Sequence, residues 1–272
     1  MPHILDQIIN HKRSEVSSNR RDRPVSSLRE QALYNRERVS LSTALRESPH
    51  YGIIAEFKRK SPSQADINLN ADPLQITTGY VKAGAAGLSV LTDQHFFGAH
   101  TDDILRARAA VEAPIIRKDF IINTYQLEEA RALGADAILL IAACLEKNQL
   151  DELAQAAHEL ELEVLCELHA PEELERLSPR VDIVGVNNRN LKDFSVSISQ
   201  SIELAKQLPA DVLRISESGI EDPQTIIRLK RAGFQGFLIG TYFMRQDDPA
   251  AACADFIRRI EEQDELLKGA IA

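Results

Sequence analysis

A handful of polar side chains sit where short apolar runs give out. Glu56 and Lys58 lie two residues apart in "IIAEFKRKSPS", so a strand would present both on one face. Lys118 in "IIRKDF" shares the parity of Ile116, and Glu167 in "LEVLCEL" shares that of Leu165. Asn187 ends "DIVGVN", with Asn188 and Arg189 next; Glu217 precedes Ser218 and Gly219 in "SESG"; Gly240 and Thr241 follow "FLI". Two lysines and three glutamates gathered in one place can neutralise one another. Their crowding would shift pKa values as proton transfer requires. Taken singly, each is a solvated Lys or its Glu partner. Taken together on one face they are harder to dismiss, because uncompensated buried charge is costly. His169, two beyond Glu167, is the one histidine to watch. His95, His100 and His158 read as structural or solvated, and Arg59 and Lys60 as solvated loop cations.

Something must position these groups. After about fifty N-terminal residues, apolar runs alternate with helix-period segments. The runs are "GIIAEF", "GLSVLT", "PIIRKDF", "DAILLI", "LEVLCEL", "DIVGVN", "DVLRIS" and "QGFLIG". Helices are expected over "PLQITTGYVKAGA", with Asp72 as N-cap and Pro73 first inside, and over "TDDILRARAAVEA", "TYQLEEARALGA" and "EKNQLDELAQAAHELE". Further helices are expected over "PEELERL", "SQSIELAKQL", "DPQTIIRLKRAG" and the C-terminal segment. Eight strand–helix units predict a (β/α)8 barrel, residues 51–272, whose site lies where strands end and the next loops begin. A doubly wound sheet competes less well, since no GxGxxG follows the first strand. Residues 1–50 read as a helical extension, broken at Pro24, that caps one end of the barrel or walls the site. Strands 7 and 8 of such barrels often bind phosphate through backbone N–H groups. Gly219 and Gly240 allow close approach there, and Ser218 and Thr241 add hydroxyls.

The bulk composition sets limits. The chain has 272 residues, 44% of them hydrophobic, only 5% aromatic and no Trp, so the core is aliphatic. A net charge of −9 argues against a nucleic-acid or membrane-surface binder and leaves any anionic ligand to a local cluster of donors. Cys144, Cys166 and Cys253 lack metal-ligand spacing and read as free thiols in a reducing cytoplasm. No run reaches membrane-span length, and no signal peptide is apparent.

The ordered blocks "IIAEFKRKSPS", "LSVLTDQHFFGA", "IIRKDFIIN", "GADAILLIAA", "VGVNNRNLKDF", "SESGI" and "FLIGTYFMR" resemble those of the indole-3-glycerol phosphate synthases over nearly the whole chain. The resemblance implies ring closure of 1-(2-carboxyphenylamino)-1-deoxyribulose 5-phosphate with loss of carbon dioxide and water, without cofactor or metal. Carried over by position, it makes Lys118 the general acid on the carbonyl oxygen and Glu167 the later base. Lys58 would neutralise substrate anions and share acid duty, with Glu56, Asn187 and Glu217 positioning these groups. Ser61 would donate to the substrate. Ser218, Gly219, Gly240 and Thr241 would hold the phosphate near Arg189, and Phe97, Phe120, Leu139 and Leu191 would wall the aromatic ring. The implied partner is the small phosphorylated substrate. A monomer is expected, with association with other tryptophan-pathway enzymes left open.

Three departures stand out. Gln64, Ala65 and Asp66 occupy a loop where the family commonly has Gly, which puts loop closure in question. Thr241, Tyr242 and Phe243 replace small or acidic residues, and "FSVSIS" replaces a more acidic stretch. Two other readings stay open: a phosphoribosylanthranilate isomerase-like barrel, which would want a strand-end Cys/Asp pair, and a non-catalytic barrel that binds a phosphorylated ligand.

Overall fold

A computed structural model describes residues 4–190 and 195–271. Eight parallel strands close into a barrel in chain order: β1 (Ile53–Phe57), β2 (Gly87–Leu91), β3 (Ile115–Lys118), β4 (Ala137–Ile141), β5 (Glu163–Leu168), β6 (Ile183–Asn187), β7 (Leu213–Glu217) and β8 (Gly236–Ile239). β8 returns to β1 with Ile54 opposite Leu238. The expected (β/α)8 architecture is therefore present. The β-branched and Leu-rich runs are buried on both faces, as parallel strands under a helical layer must be.

The extension comprises α1 (Ile4–Asp22), α2 (Val25–Arg29) and α3 (Leu41–Glu47). The outer layer holds α4 (Pro73–Lys82), a short α5 (Gln94–Phe97), α6 (Asp103–Ala110), α7 (Tyr125–Ala132) and α8 (Lys147–Glu159). It continues with α9 (Ile198–Ala205), α10 (Pro223–Arg231), a short α11 (Thr241–Met244) and α12 (Pro249–Ile271). Asp72 caps α4 as expected, accepting from Leu74 and Gln75 N–H with Pro73 in the first turn. "PEELER" departs from expectation: Pro171–Arg176 forms a 3₁₀ segment rather than an α-helix. Its tighter turn holds Glu173 Oε2 2.7 Å from the His169 amide, which donates to it, a local bond that competes with α-helical pairing.

Strand parity divides the barrel. Ile54, Ile116, Leu165, Ile183, Leu213, Ile215 and Leu238 pack together inside, while the alternate residues face the helices. The extension reaches both ends rather than capping one. Leu41 and Leu45 of α3 join the interior cluster at the end where strands begin. A side chain at Gly87, the first residue of β2, would meet Leu41 Cδ1 at 2.6 Å. Burying two leucines there contributes on the order of 2–3 kcal/mol each. At the opposite end Ile4, Leu5 and Ile8 of α1 border the central cleft.

Arg59 is a correction to the expected solvated cation. It is 4% exposed, pairs with Asp103, donates to the Ala71 carbonyl at 2.9 Å and lies over the Phe57 ring. Alternation explains it: with Phe57 it takes the outward parity, into the helix layer, while Lys58 turns in.

Candidate active site

The inward parity continues past the aliphatic layer into charged residues. Ile54 leads to Glu56 and Lys58, Ile116 to Lys118, Leu165 to Glu167 and His169, Ile215 to Glu217. These six, with Asn187, border one cleft, open to solvent and roughly 950 Å³ in extent, at the C-terminal ends of the strands. Lys118 Nζ lies at its centre, 2.6 Å from Glu217 Oε2 and 3.0 Å from Glu167 Oε2. Lys58 Nζ is 2.6 Å from Glu56 Oε1, and Ser89 of β2 donates to Glu56 Oε2 at 3.1 Å. Asn187 Oδ1 accepts from the Arg189 amide at 2.9 Å, tying the strand end to the loop beyond it.

Burial and charge oppose one another here. Burial works against ionised Glu56, but Lys58 and Lys118 outweigh it and hold the carboxylate below its usual range. Burial likewise disfavours the Lys118 ammonium, and Glu167, Glu217 and Glu56 more than compensate, so the group stays charged. Glu167 and Glu217 are pushed apart. Glu167, despite burial, is held ionised by Lys118 and His169. Glu217, buried, facing Glu167 and with no hydrogen-bond partner for Oε1 among the described residues, is raised to about 7. Two buried carboxylates at one ammonium cannot both ionise freely, so Glu217 takes the proton.

Two recesses flank this centre. Phe97 and Phe120, ring centroids 5.9 Å apart, line one side with Leu139 and the α1 residues. Asp93 caps α5 by accepting from the Phe96 and Phe97 amides, which fixes where Phe97 stands. On the other side Ser61, Arg189, Ser218, Gly219, Gly240 and Thr241 line a smaller cleft that also touches Glu56 and Lys58. Ser218 and Gly219 are both left-handed, φ 69° and 65°, and Ser218 is a strained choice there. Asn188 sustains it: its amide donates to the Ser218 carbonyl at 2.7 Å and to Ser216 Oγ at 3.0 Å. The sites predicted from sequence thus converge, except Leu191, which lies outside the described residues. Gly240 also does something unforeseen. A Cβ there would fall 2.6 Å from Glu56 Oε1, so the glycine makes room for a site carboxylate.

A model of the family described as indole-3-glycerol phosphate synthase matches residues 5–256. The chain belongs to that family. By this membership it is a carboxy-lyase of tryptophan biosynthesis. The indole-3-glycerol phosphate synthase of Bacteroides thetaiotaomicron is 47% identical over 261 residues, covering 96% of this chain and 100% of that protein. That of Salinibacter ruber is 44% identical over 252 residues, covering 92% and 93%. Among solved structures, thiamine phosphate pyrophosphorylase from Pyrococcus furiosus aligns with a TM-score of 0.59 at 14% identity, over 82% of this chain and 98% of that one. Tryptophan synthase subunit alpha from Legionella pneumophila gives the same TM-score, identity and coverage. Likeness at that identity speaks for the fold alone.

Within this synthase fold, sequence reasoning missed Ser89, Gly185 and Lys12, and it noted Asn188 without giving it a role. Ser89 shares inward parity with Gly87, a signal that was available. Gly185 interrupts an apolar strand, another available signal. Lys12 gave none. It is fully buried on α1, with Nζ 2.9 Å from Asp119, 3.0 Å from Asp93 and 2.8 Å from Glu15. Burial disfavours its charge, but the three carboxylates outweigh that and hold it ionised. It ties the extension to the loops that carry Phe97 and Phe120.

Proposed function

We propose that the chain converts 1-(2-carboxyphenylamino)-1-deoxyribulose 5-phosphate to indole-3-glycerol phosphate with the residues of this cleft. The carrying observation is Lys118, centred between two carboxylates and flanked by an aromatic recess and a serine- and glycine-lined one. The anthranilate ring fits beside Phe97, Phe120 and Leu139; the phosphate fits beside Ser218, Gly219, Gly240 and Thr241, with Ser61 and Arg189 near. Leu191 belongs to the proposed ring wall by resemblance alone.

Spanning the two recesses folds the flexible substrate so that its ketone carbon meets the ring carbon bearing the carboxylate, an orientation effect. That carbon attacks, and Lys118 protonates the ketone oxygen as the new carbon–carbon bond forms. Carbon dioxide leaves, and its bonding electrons restore the aromatic ring. The new hydroxyl then departs as water with a proton from an acid, while Glu167 accepts a proton from the carbon next to nitrogen. Glu217, raised to about 7 and so partly protonated at neutral pH, stands 2.6 Å from Lys118 and can return the proton that Lys118 gives up. Lys58, bordering both recesses, balances the substrate's anionic groups and shares acid duty, with Glu56 and Asn187 holding the frame. Each acid–base step contributes on the order of 10²–10⁴ in rate.

The alternative of a non-catalytic barrel is disfavoured by the cost of keeping these charges buried. A reducing cytoplasm suits the three free thiols, and a cytoplasmic monomer able to meet neighbouring pathway enzymes belongs to the same reading. No helix among the described residues is long and apolar enough to cross a membrane.

The test is indole fluorescence on mixing the protein with the carboxyphenylamino-deoxyribulose phosphate. A rise with wild type, nearly lost in Lys118→Ala, supports reaction and acid together. Binding without a rise in wild type overturns the catalytic reading. Equal rises move the acid role to Lys58.

A further inference from the structure

His169 continues the inward parity of β5 by one more step. Its side chain is 6% exposed and borders the central cleft, with Nε2 3.0 Å from Glu167 Oε1. Neither ring nitrogen makes a directed hydrogen bond among the described residues; the Glu167 oxygen is close but off the N–H axis. A buried imidazole without a directed partner is costly unless its charge is used. The surrounding charges supply that use. Glu167 lies on the same strand, Glu173 on the 3₁₀ segment with Oε2 3.9 Å from Nδ1, and Glu217 faces from β7. Lys118 stands beyond Glu167, Arg176 lies beside Glu173, and the Cys144 thiol, raised by burial, sits near both glutamates. Three carboxyl groups thus face the imidazole on this side of the cleft, against two cations, Lys118 and Arg176.

We infer that His169 is a positioning residue for the reaction: as an imidazolium it holds the Glu167 carboxylate ionised and in place, so that the proton of the Glu167–Glu217 pair resides on Glu217. This inference rests on the proposed roles of Lys118 and Glu167. Glu167 Oε2 faces Lys118 and Oε1 faces His169, so the carboxylate is gripped from both sides and keeps one orientation toward the cleft. Among the described residues Glu217 is paired with Lys118 alone. The asymmetry gives the two carboxyl groups different duties, base and proton store. Burial lowers the His169 imidazole, but Glu167, Glu173 and Glu217 raise it above its ordinary value, which favours the imidazolium.

The experiment compares wild type, His169→Gln and His169→Leu by kcat, KM and thermal midpoint across about pH 3.5 to 8, which spans the acid limb of a carboxylate and the titration of a histidine. Gln retains a donor without charge; Leu retains neither. Removing the cation lets the Glu167 pKa rise. Activity that needs ionised Glu167 is then lost at higher pH as the solution is acidified. The acid limb of kcat is expected to move up by about one unit in the Leu variant and less in the Gln variant, with KM changing little; at pH 7, above the limb in all three proteins, a fall in kcat reports Glu167 losing its orientation. A purely structural role would lower the thermal midpoint and scale kcat evenly without moving the limb. Superimposable kcat profiles in all three proteins overturn the inference while leaving the reaction intact. No product with wild type overturns the reading beneath it, and Lys118→Ala measured alongside separates the two.

Discussion

Gly185 of β6 stands opposite Ile215 and Glu217 opposite Asn187, yet the Glu217 side chain reaches back so far that a Cβ at position 185 would overlap its Oε1. The glycine is the space in which the carboxyl sits. The same Cβ would also lie 3.1 Å from Leu165 Cδ1, so the gap beside the glycine is already taken from two sides. The 2.6 Å contact between Lys118 and Glu217 therefore depends on a residue that brings no side chain to it.

Gly185→Ala is expected to push Glu217 off Lys118. Overpacking of this kind costs on the order of 1–3 kcal/mol in stability, which a large barrel survives. Turnover should fall at least about tenfold, since the proton store and the ammonium lose contact. Steady-state kinetics beside a thermal melt check it. A variant with normal kcat would show that Glu217 has no part in the reaction.

The raised Glu217 makes KM depend on pH. A carboxyl raised to about 7 is protonated below that pH and ionised above it. Above it the cleft gains a negative charge facing a substrate that carries a carboxylate and a phosphate. KM is therefore expected to climb as pH rises through about 7, and Glu217→Gln should remove the climb. A flat KM between pH 6 and 8 (roughly one unit either side of that value) in wild type would refute this.

Asn188→Ala removes the hydrogen bonds that its side-chain amide donates to the Ser218 carbonyl and to Ser216 Oγ, which brace the left-handed turn at Ser218. The loop proposed to hold phosphate should relax, since strain of roughly 1–3 kcal/mol persists only while neighbours enforce it. KM is expected to rise about tenfold with kcat within about threefold, and protection of the protein by inorganic phosphate against thermal unfolding should shrink. An unchanged KM would place the phosphate elsewhere.

Lys12→Met leaves Asp93 and Asp119 buried without their shared cation. Breaking one side of a buried pair costs on the order of 3–5 kcal/mol, and here it should act locally by freeing α1. The expected result is faster protease cleavage near the start of the chain and weaker substrate binding, because Asp93 also fixes Phe97. Cleavage at the wild-type rate would mean that α1 is held by its apolar contacts alone.

Much of this protein was legible before any coordinates. Eight apolar runs and their spacing gave the barrel, and the two-residue period of a strand placed Glu56 beside Lys58, Lys118 below Ile116 and Glu167 in line with Leu165. These are local properties: the pleat sets side-chain direction from one residue to the next, whatever the rest of the chain does. The same rule, carried one step further, pointed to His169, and applied to Arg59 would have turned it outward rather than into solvent.

Tertiary structure decided the partners. Nothing near Lys12 in sequence announces Asp93 and Asp119, and nothing near Glu217 announces that Gly185 makes room for it. Which of two equivalent glutamates keeps its charge depends on Lys118 and His169 arriving from different strands. Whether an extension caps one end or clasps both depends on Leu41 meeting Gly87 while Ile8 meets the opposite mouth. Such pairings form only when the barrel closes and its ends come together, and burial then gives them their strength. A strand's parity is written in neighbouring residues; the charge that a carboxyl carries is set by groups that only closure brings within reach.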